Sequence, residues 1–199
     1  MNTSLIYFIV VTHATLHVFS HVLTTGKTNR ITSGVHDYTA LVSLGKVKAG
    51  AKMSMSMPTE IFRIDNTKTG VKEVQLTFTN NEVSESIQWG RVEERWIGTS
   101  DGKKMLVWVI YPPFFDKTKK YPALLYCQGG PQSAVSQFFS YRWNFQMMAA
   151  HDYIVVAPNR RGLPGFGQEW NDQISQDYGG QNMLDYLAAI DSVSKDPWV

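Results

Sequence analysis

Tyr121-Pro-Ala-Leu-Leu-Tyr-Cys-Gln-Gly-Gly-Pro131, YPALLYCQGGP, is a short apolar strand running directly into a diglycine-proline turn. A helix is predicted from about Gln132, so the turn joins the carboxyl end of a strand to a helix start. Backbone N–H groups are exposed at such a junction and suit a developing oxyanion, and the positive end of the helix dipole adds to the field. Gln128 and Gly129 are the candidate oxyanion residues. Gly130 carries no Cβ, so a substrate carbonyl can approach the chain closely there.

Working downstream, Phe138, Tyr141, Phe145 and Met148 fall on one stripe at helical spacing, and Tyr153 to Ala157 reads as the next strand. A glycine-rich loop, Asn159-Arg-Arg-Gly-Leu-Pro-Gly-Phe-Gly167, follows at that strand's carboxyl end, where α/β sheets bind ligands. Asn159, Arg160, Arg161 and Gly162 are therefore substrate or loop candidates. Two readings of the arginines stand side by side: they clamp a carboxylate or orient a neighbouring loop, or they form structural ion pairs with Asp172, Asp177 or Asp185. A last helix carries Met183, Leu187 and Ile190 on one face, preceded by Gly179-Gly180 and halted by Asp196-Pro197.

Upstream the pattern differs. From Leu5 to about Trp96 short β-rich runs (LIYFIVV, TLHVFSHVL, YTALVSL, TEIFRID and KEVQLTF) alternate with turn residues, and no helical period competes. The segments TTGKTNR and DNTKTGV read as hairpin turns between them. This is antiparallel β structure of the sandwich or propeller kind. A strand-only block followed by strand, helix, strand marks two domains with a boundary near Gln88 to Arg95, written as residues 1–90 and 91–199. Two parallel strands are too few for a doubly wound sheet, so the second domain is expected to be incomplete.

The 199 residues are 43% hydrophobic and 13% aromatic, enough for a packed core, and 19 basic against 17 acidic side chains give a net charge of +2. No electrostatic argument favours nucleic acid or a membrane surface. The apolar run Leu5 to Val11 is too short to span a bilayer, and the opening MNTSLIYFIVVTHATLHVF lacks the charged start and small-residue cleavage site of a signal peptide. The single cysteine, Cys127, sits in an apolar strand and reads as a buried small hydrophobe. His13, His17 and His21 recur every fourth residue, but in β-leaning surroundings without a nearby carboxylate; they read as polar residues exposed on a strand, not zinc ligands. Gly98-Thr99-Ser100-Asp101-Gly102 matches G-x-S-x-G, yet a second β-rich run follows it where a nucleophile elbow needs a helix. Ser100 is assigned to a hairpin turn.

Four stretches together resemble the prolyl oligopeptidase family of serine peptidases, on the dipeptidyl-peptidase and acylaminoacyl-peptidase-like side: MPTEIFRID, YPALLYCQGGPQS, MMAAHDYIVVAPNRRGLPGFGQEW and DYGGQNMLDYLAAID. The resemblance implies β-propeller blades (all-β, antiparallel) followed by the N-terminal half of an α/β-hydrolase domain, truncated before the nucleophile elbow. Gly129 matches the family position whose N–H helps form the oxyanion hole. Gln128 stands where some branches place a tyrosine or histidine. Asn159, Arg161, Gly162, Gly165 and Gly167 match the N-P-R-G-x-x-G-Y-G loop, with Arg160 in place of the proline and Phe166 in place of the tyrosine.

The nucleophile, aspartate and histidine are expected beyond Val199, so residues 1–199 alone are expected to be inactive. The resemblance further implies a peptide substrate, no cofactor, no metal, no nucleic-acid or membrane partner, and leaves homo-oligomerisation of the full-length protein open. Compartment is unassigned between periplasmic or secreted and cytoplasmic, with the true N-terminus expected to be missing and the truncation expected to come from gene prediction. An esterase or lipase on the same scaffold, or a non-catalytic propeller binding protein, are the alternative readings; the strand-only block speaks against the former.

Overall fold

The computed structural model describes residues 4–67 and 70–199. It divides into two compact units, 1–87 with 136–139, and 88–135 with 140–199.

The first unit is built on seven strands: β1 (Leu5–Thr12), β2 (Thr15–Val22), β3 (Thr28–Arg30), β4 (Asp37–Leu44), β5 (Val47–Ser54), β6 (Met57–Thr67) and β7 (Gly70–Gln75). β1, β2 and β3 pair antiparallel, as do β4 through β7, and a single parallel bridge between Leu16 and Asp37 joins the two sets. Asp37 secures that bridge by accepting from Leu16 N at 3.0 Å. β6 shows why a strand forms: Pro58, Glu60, Phe62 and Ile64 point inward while Thr59, Ile61 and Arg63 face out. Val18, Tyr38, Phe62 and Ile64 make the core. Lys68 and Thr69, in the segment DNTKTGV read as a hairpin turn, lie outside the described residues; Thr67 and Gly70 pair on either side of them.

Three sequence expectations are corrected in this unit. β5, VKAGAKMS, carries little β propensity and was not expected; pairing on both flanks makes it a strand. Its Gly50 is dictated by packing, since a Cβ there would sit 2.7 Å from the Tyr38 ring and 2.8 Å from Ala40 O. A short helix, α1 (Asn81–Ser86), interrupts the strand-only pattern. His13, with Ala14, forms a two-residue hairpin turn at positive φ (45° and 55°), while His17 is fully buried on β2 and not displayed.

Buried polar groups in this unit are organised around Glu73 and Glu60. Tyr38 Oη donates to Glu73 at 2.8 Å and Lys52 pairs with the same carboxylate at 2.6 Å, its ammonium lying 4.7 Å from the Phe62 ring centre. Glu60 accepts from the Thr77 hydroxyl, from Asn80 N at 2.9 Å and from Asn80 Nδ2 at 3.0 Å. His17 and His36 meet edge to face at 5.0 Å between ring centres.

The second unit holds a four-stranded sheet in the order β10-β11-β9-β8, from β8 (Val92–Gly98), β9 (Lys104–Ile110), β10 (Ala123–Leu125) and β11 (Ile154–Pro158). β9 pairs antiparallel with β8 on one side and with β11 on the other, and β10 runs parallel to β11 with Leu124 opposite Val155. β9 and β11 are buried almost throughout, which is why they read as continuous apolar runs. Helices α2 (Phe145–Ala149), α3 (Gln168–Asp172) and α4 (Gln181–Val193) complete the unit. Tyr111, Val156, Trp170, Ala189 and Val193 belong to the core on the sheet.

No helix forms near Gln132 or along the Phe138–Tyr141 stripe. Val135 N donates to Asn159 Oδ1 at 3.0 Å, and Val135 O accepts from Asn159 Nδ2 and Trp108 Nε1, so this backbone is held by side chains and not by i→i−4 bonds. The first helical turn starts only after Asn144, whose side chain accepts from Gln146 N and Met147 N. α4 buries Asn182, Asp185, Tyr186, Ala189 and Val193; of the expected stripe, Met183 and Leu187 are exposed and Ile190 packs half-buried against the core.

Burial holds His17 and His36 neutral, each pushed down to about 4; nearby positive charge adds to this, from Arg30 for His17 and Lys52 for His36. A base whose folded pKa is depressed contributes stability that is complete above its unfolded value near 6.5 and lost as pH falls toward 4. Asp37, raised by burial to about 6, works in the opposite sense over much of the same window, but as one group against two. Acidification from pH 7 to 4.5 is therefore expected to lower Tm by more than about 5 °C in thermal scans, with the slope shallower in a His36→Gln variant.

Candidate active site

Because β10 and β11 are parallel, the segments that follow them leave the sheet at the same rim. Tyr126 N still pairs with Val156 O at 2.8 Å, and the chain then turns through Cys127, Gln128, Gly129 and Gly130. Cys127 is exposed, a correction to its expected burial: it lies two residues past a three-residue edge strand and not within it. Gly130 takes φ 120°, a conformation that side chains rarely adopt, and Gly129 has open space where a Cβ would stand. The expected helix dipole behind this bend is absent, because residues 131–144 are not helical.

The orientation of the bend comes instead from one carbonyl. Gln128 O accepts from Arg160 Nη2 at 3.1 Å and from Tyr186 Oη at 3.0 Å. The described peptide bonds are all trans, so the Gly129 N–H points from the opposite edge of that peptide, antiparallel to the carbonyl. Tyr126 Oη donates to the Gln128 side-chain oxygen at 2.8 Å, fixing the side chain as well. Cys127, Gln128, Gly130, Pro131, Arg160 and Tyr178 line the depression at the bend, and an apolar one beside it is lined by Leu125, Trp143 and Met148.

The loop after β11 is structural in its first members. Asn159 is fully buried and grips Val135 through both ends of its amide. Arg161 is 2% exposed and donates both Nη groups to Asp101 at 2.6 Å, with a further bond to Thr99 Oγ1 at 3.0 Å. Its Nε lies 3.4 Å from Asp185 and its backbone N–H donates to the same carboxylate at 2.9 Å. The guanidinium also lies over Trp170, 4.8 Å from the ring centre. Of the three carboxylates expected as partners, Asp185 is engaged and Asp172 and Asp177 are not; Asp101 is the partner sequence reasoning missed. Sixty residues separate Asp101 from Arg161, and nothing local announces the pair.

Electrostatics follow the geometry. Hydrogen bonds from Arg161 and then Thr99 hold Asp101 well below the usual carboxylate range, while burial pushes Asp185 up against the pull of its donors. The Gly98–Gly102 turn thus serves as the receptor for Arg161. Ser100 occupies the hairpin turn between β8 and β9, and its hydroxyl contacts Gln181 Nε2 at 2.9 Å. Gly162 is required: it has φ 93°, and a Cβ would stand 2.5 Å from Ile174 Cβ and 2.7 Å from Arg160 Nη1.

Residues 139–199 match the prolyl oligopeptidase family. The chain resembles that family. It is 48% identical over 194 residues to dipeptidyl-peptidase 5 of Porphyromonas gingivalis, an alignment covering 98% of this chain and 28% of that protein. Acylaminoacyl peptidase of Pyrococcus horikoshii superposes with a TM-score of 0.83 at 20% identity, over 97% of this chain and 29% of the other. Porphyromonas gingivalis dipeptidyl peptidase 4 gives 0.79 at 20% identity, over all of this chain and 29% of its own. The fold is therefore propeller-type antiparallel β structure followed by the beginning of an α/β-hydrolase sheet, and the chain spans between a quarter and a third of the proteins it resembles. Among the described residues no helix is long and apolar enough to cross a membrane.

Three substitutions test the loop. Arg161→Met leaves the fully buried Asp185 without its cation and is expected to destabilise the chain by about 3 kcal/mol in urea unfolding, against about 1 kcal/mol for Asp101→Asn, whose carboxylate is partly exposed. Gly162→Ala combines a positive φ with the overlap on Ile174 and is expected to lose more than about 2 kcal/mol by the same measurement.

Proposed function

We propose that the protein containing this chain is a serine peptidase that hydrolyses short peptides in the manner of a dipeptidyl-peptidase, and that Gln128 and Gly129 form one side of its oxyanion hole. The observation that carries this reading is the Gln128–Gly129 peptide, set at the carboxyl rim of a parallel strand pair with its carbonyl held on one side and its N–H turned to the other. In this reading residues 1–90 are the C-terminal part of a propeller. Residues 91–199 are the first half of the catalytic domain, with the Ser-His-Asp triad supplied by chain outside 1–199.

The chemistry is acyl transfer. The serine Oγ attacks the scissile carbonyl carbon while the histidine takes its proton, and the carbonyl oxygen becomes an oxyanion received by the Gly129 N–H and a second backbone N–H. Collapse breaks the C–N bond, the histidine returns the proton to the leaving amine, and water then hydrolyses the acyl-enzyme by the same steps. Asn159, Arg161 and Gly162 shape the loop beside the site.

Full-length protein is expected to release 4-nitroaniline from dipeptide 4-nitroanilides, with activity abolished by a fluorophosphonate that labels a serine outside residues 1–199. Residues 1–199 alone are expected to show no turnover, since loss of a triad lowers kcat by about six orders of magnitude. A labelled Ser100, or full-length protein without hydrolysis, would overturn the proposal.

A further inference from the structure

We propose that Arg160 and Tyr186 are positioning residues for the oxyanion amide: they clamp the Gln128 carbonyl so that the Gly129 N–H is both aimed and polarised. This rests on the reading of Gly129 as an oxyanion donor. Three separate elements converge on one oxygen, since Gln128 follows β10, Arg160 follows β11 and Tyr186 lies on α4. Arg160 and Tyr186 are 3% and 5% exposed. The two donors reach Gln128 O at 3.1 and 3.0 Å, and Arg160 Nε in turn donates to Tyr186 Oη at 3.2 Å, so the phenol relays the guanidinium's pull to the same carbonyl.

Arg160 differs from its neighbour in what balances its charge. Arg161 faces two carboxylates, whereas among the described residues Arg160 has no carboxylate partner; its acceptors are the carbonyls of Gln128 and Arg161 (2.6 Å) and the Tyr186 hydroxyl. A buried cation with only dipolar acceptors leaves a positive field behind the peptide. Charge-assisted donation to a carbonyl draws electron density through the amide and makes the N–H at its other end a stronger donor. The trans geometry places that N–H at the opposite edge of the peptide, pointing away from the two donors. The surroundings hold Arg160 in place: Trp170 Nε1 donates to its carbonyl at 3.1 Å, and the missing side chain of Gly162 leaves room for Nη1.

The test is steady-state kinetics of the full-length protein with a dipeptide 4-nitroanilide. Arg160→Met is expected to lower kcat by about tenfold to a hundredfold with KM within about twofold, short of the loss from deleting an oxyanion donor outright. Tyr186→Phe is expected to lower kcat by about threefold to tenfold, and Arg160→Lys to recover part of the Arg160→Met loss. Affinity for a dipeptide boronate, which forms a tetrahedral adduct, falls in step with kcat/KM, while affinity for the product dipeptide does not change.

Unchanged kcat in both Arg160→Met and Tyr186→Phe, a loss confined to KM, or a kcat loss without loss of boronate affinity would overturn the inference. Should Arg160→Met fail to fold by circular dichroism, the isosteric Tyr186→Phe decides by the same criteria. Active wild-type protein with indifferent variants sinks only the clamp. Wild-type protein without turnover sinks the peptidase reading and the clamp with it.

Discussion

The Arg161 guanidinium is the fixed point of the second unit. It is a permanent cation with almost no exposed surface, and such a group is tolerable only where carboxylates and hydrogen-bond acceptors surround it. Asp101 comes from the β8–β9 turn, Asp185 from α4, and Trp170 from α3, so satisfying one side chain ties together three parts of the chain distant in sequence. Asp185 then sets the rotation of α4 about its axis. That rotation brings Tyr186, the next residue, to the carbonyl of Gln128.

Such polar anchoring outweighs hydrophobic periodicity at α4. Met183 and Leu187 form an apolar stripe that would bury readily, and the helix nonetheless turns Asp185 and Tyr186 inward. Leaving a carboxylate and a buried arginine unpaired would be worse than leaving two aliphatic side chains in water: breaking a buried pair runs to about 3–5 kcal/mol, against about 1.5–3 kcal/mol for one apolar side chain, only partly recovered at positions still half covered. The first unit follows the same logic with different groups. Glu60 and Glu73 are each held by several converging donors, and the strands around them carry the alternation that sequence shows.

Much of this was legible in the chain itself. The β6 alternation, the β8–β9 hairpin through Ser100, the apolar runs of β9 and β11, and the strand-to-glycine bend at Gly129 all follow from local pattern, because each is fixed by residues within a few positions of one another. β5, α1 and α3 were missed, since their sequences are weak in propensity and their neighbours decide them. The helix expected from Gln132 was wrong for an identifiable reason: the amide of Asn159, from a different strand end, captures both polar groups of Val135.

The sequence by itself determined the resemblance to a family, the order of strand-rich and mixed segments, and the candidacy of Gln128, Gly129 and the Asn159–Gly162 loop, because glycine, proline and apolar spacing act locally on backbone conformation. Only the tertiary structure decided what the two arginines do. Adjacent residues of like charge part company there, Arg161 toward two carboxylates and Arg160 toward a carbonyl, because which partners a long side chain reaches depends on where the fold brings Asp101, Asp185 and Gln128.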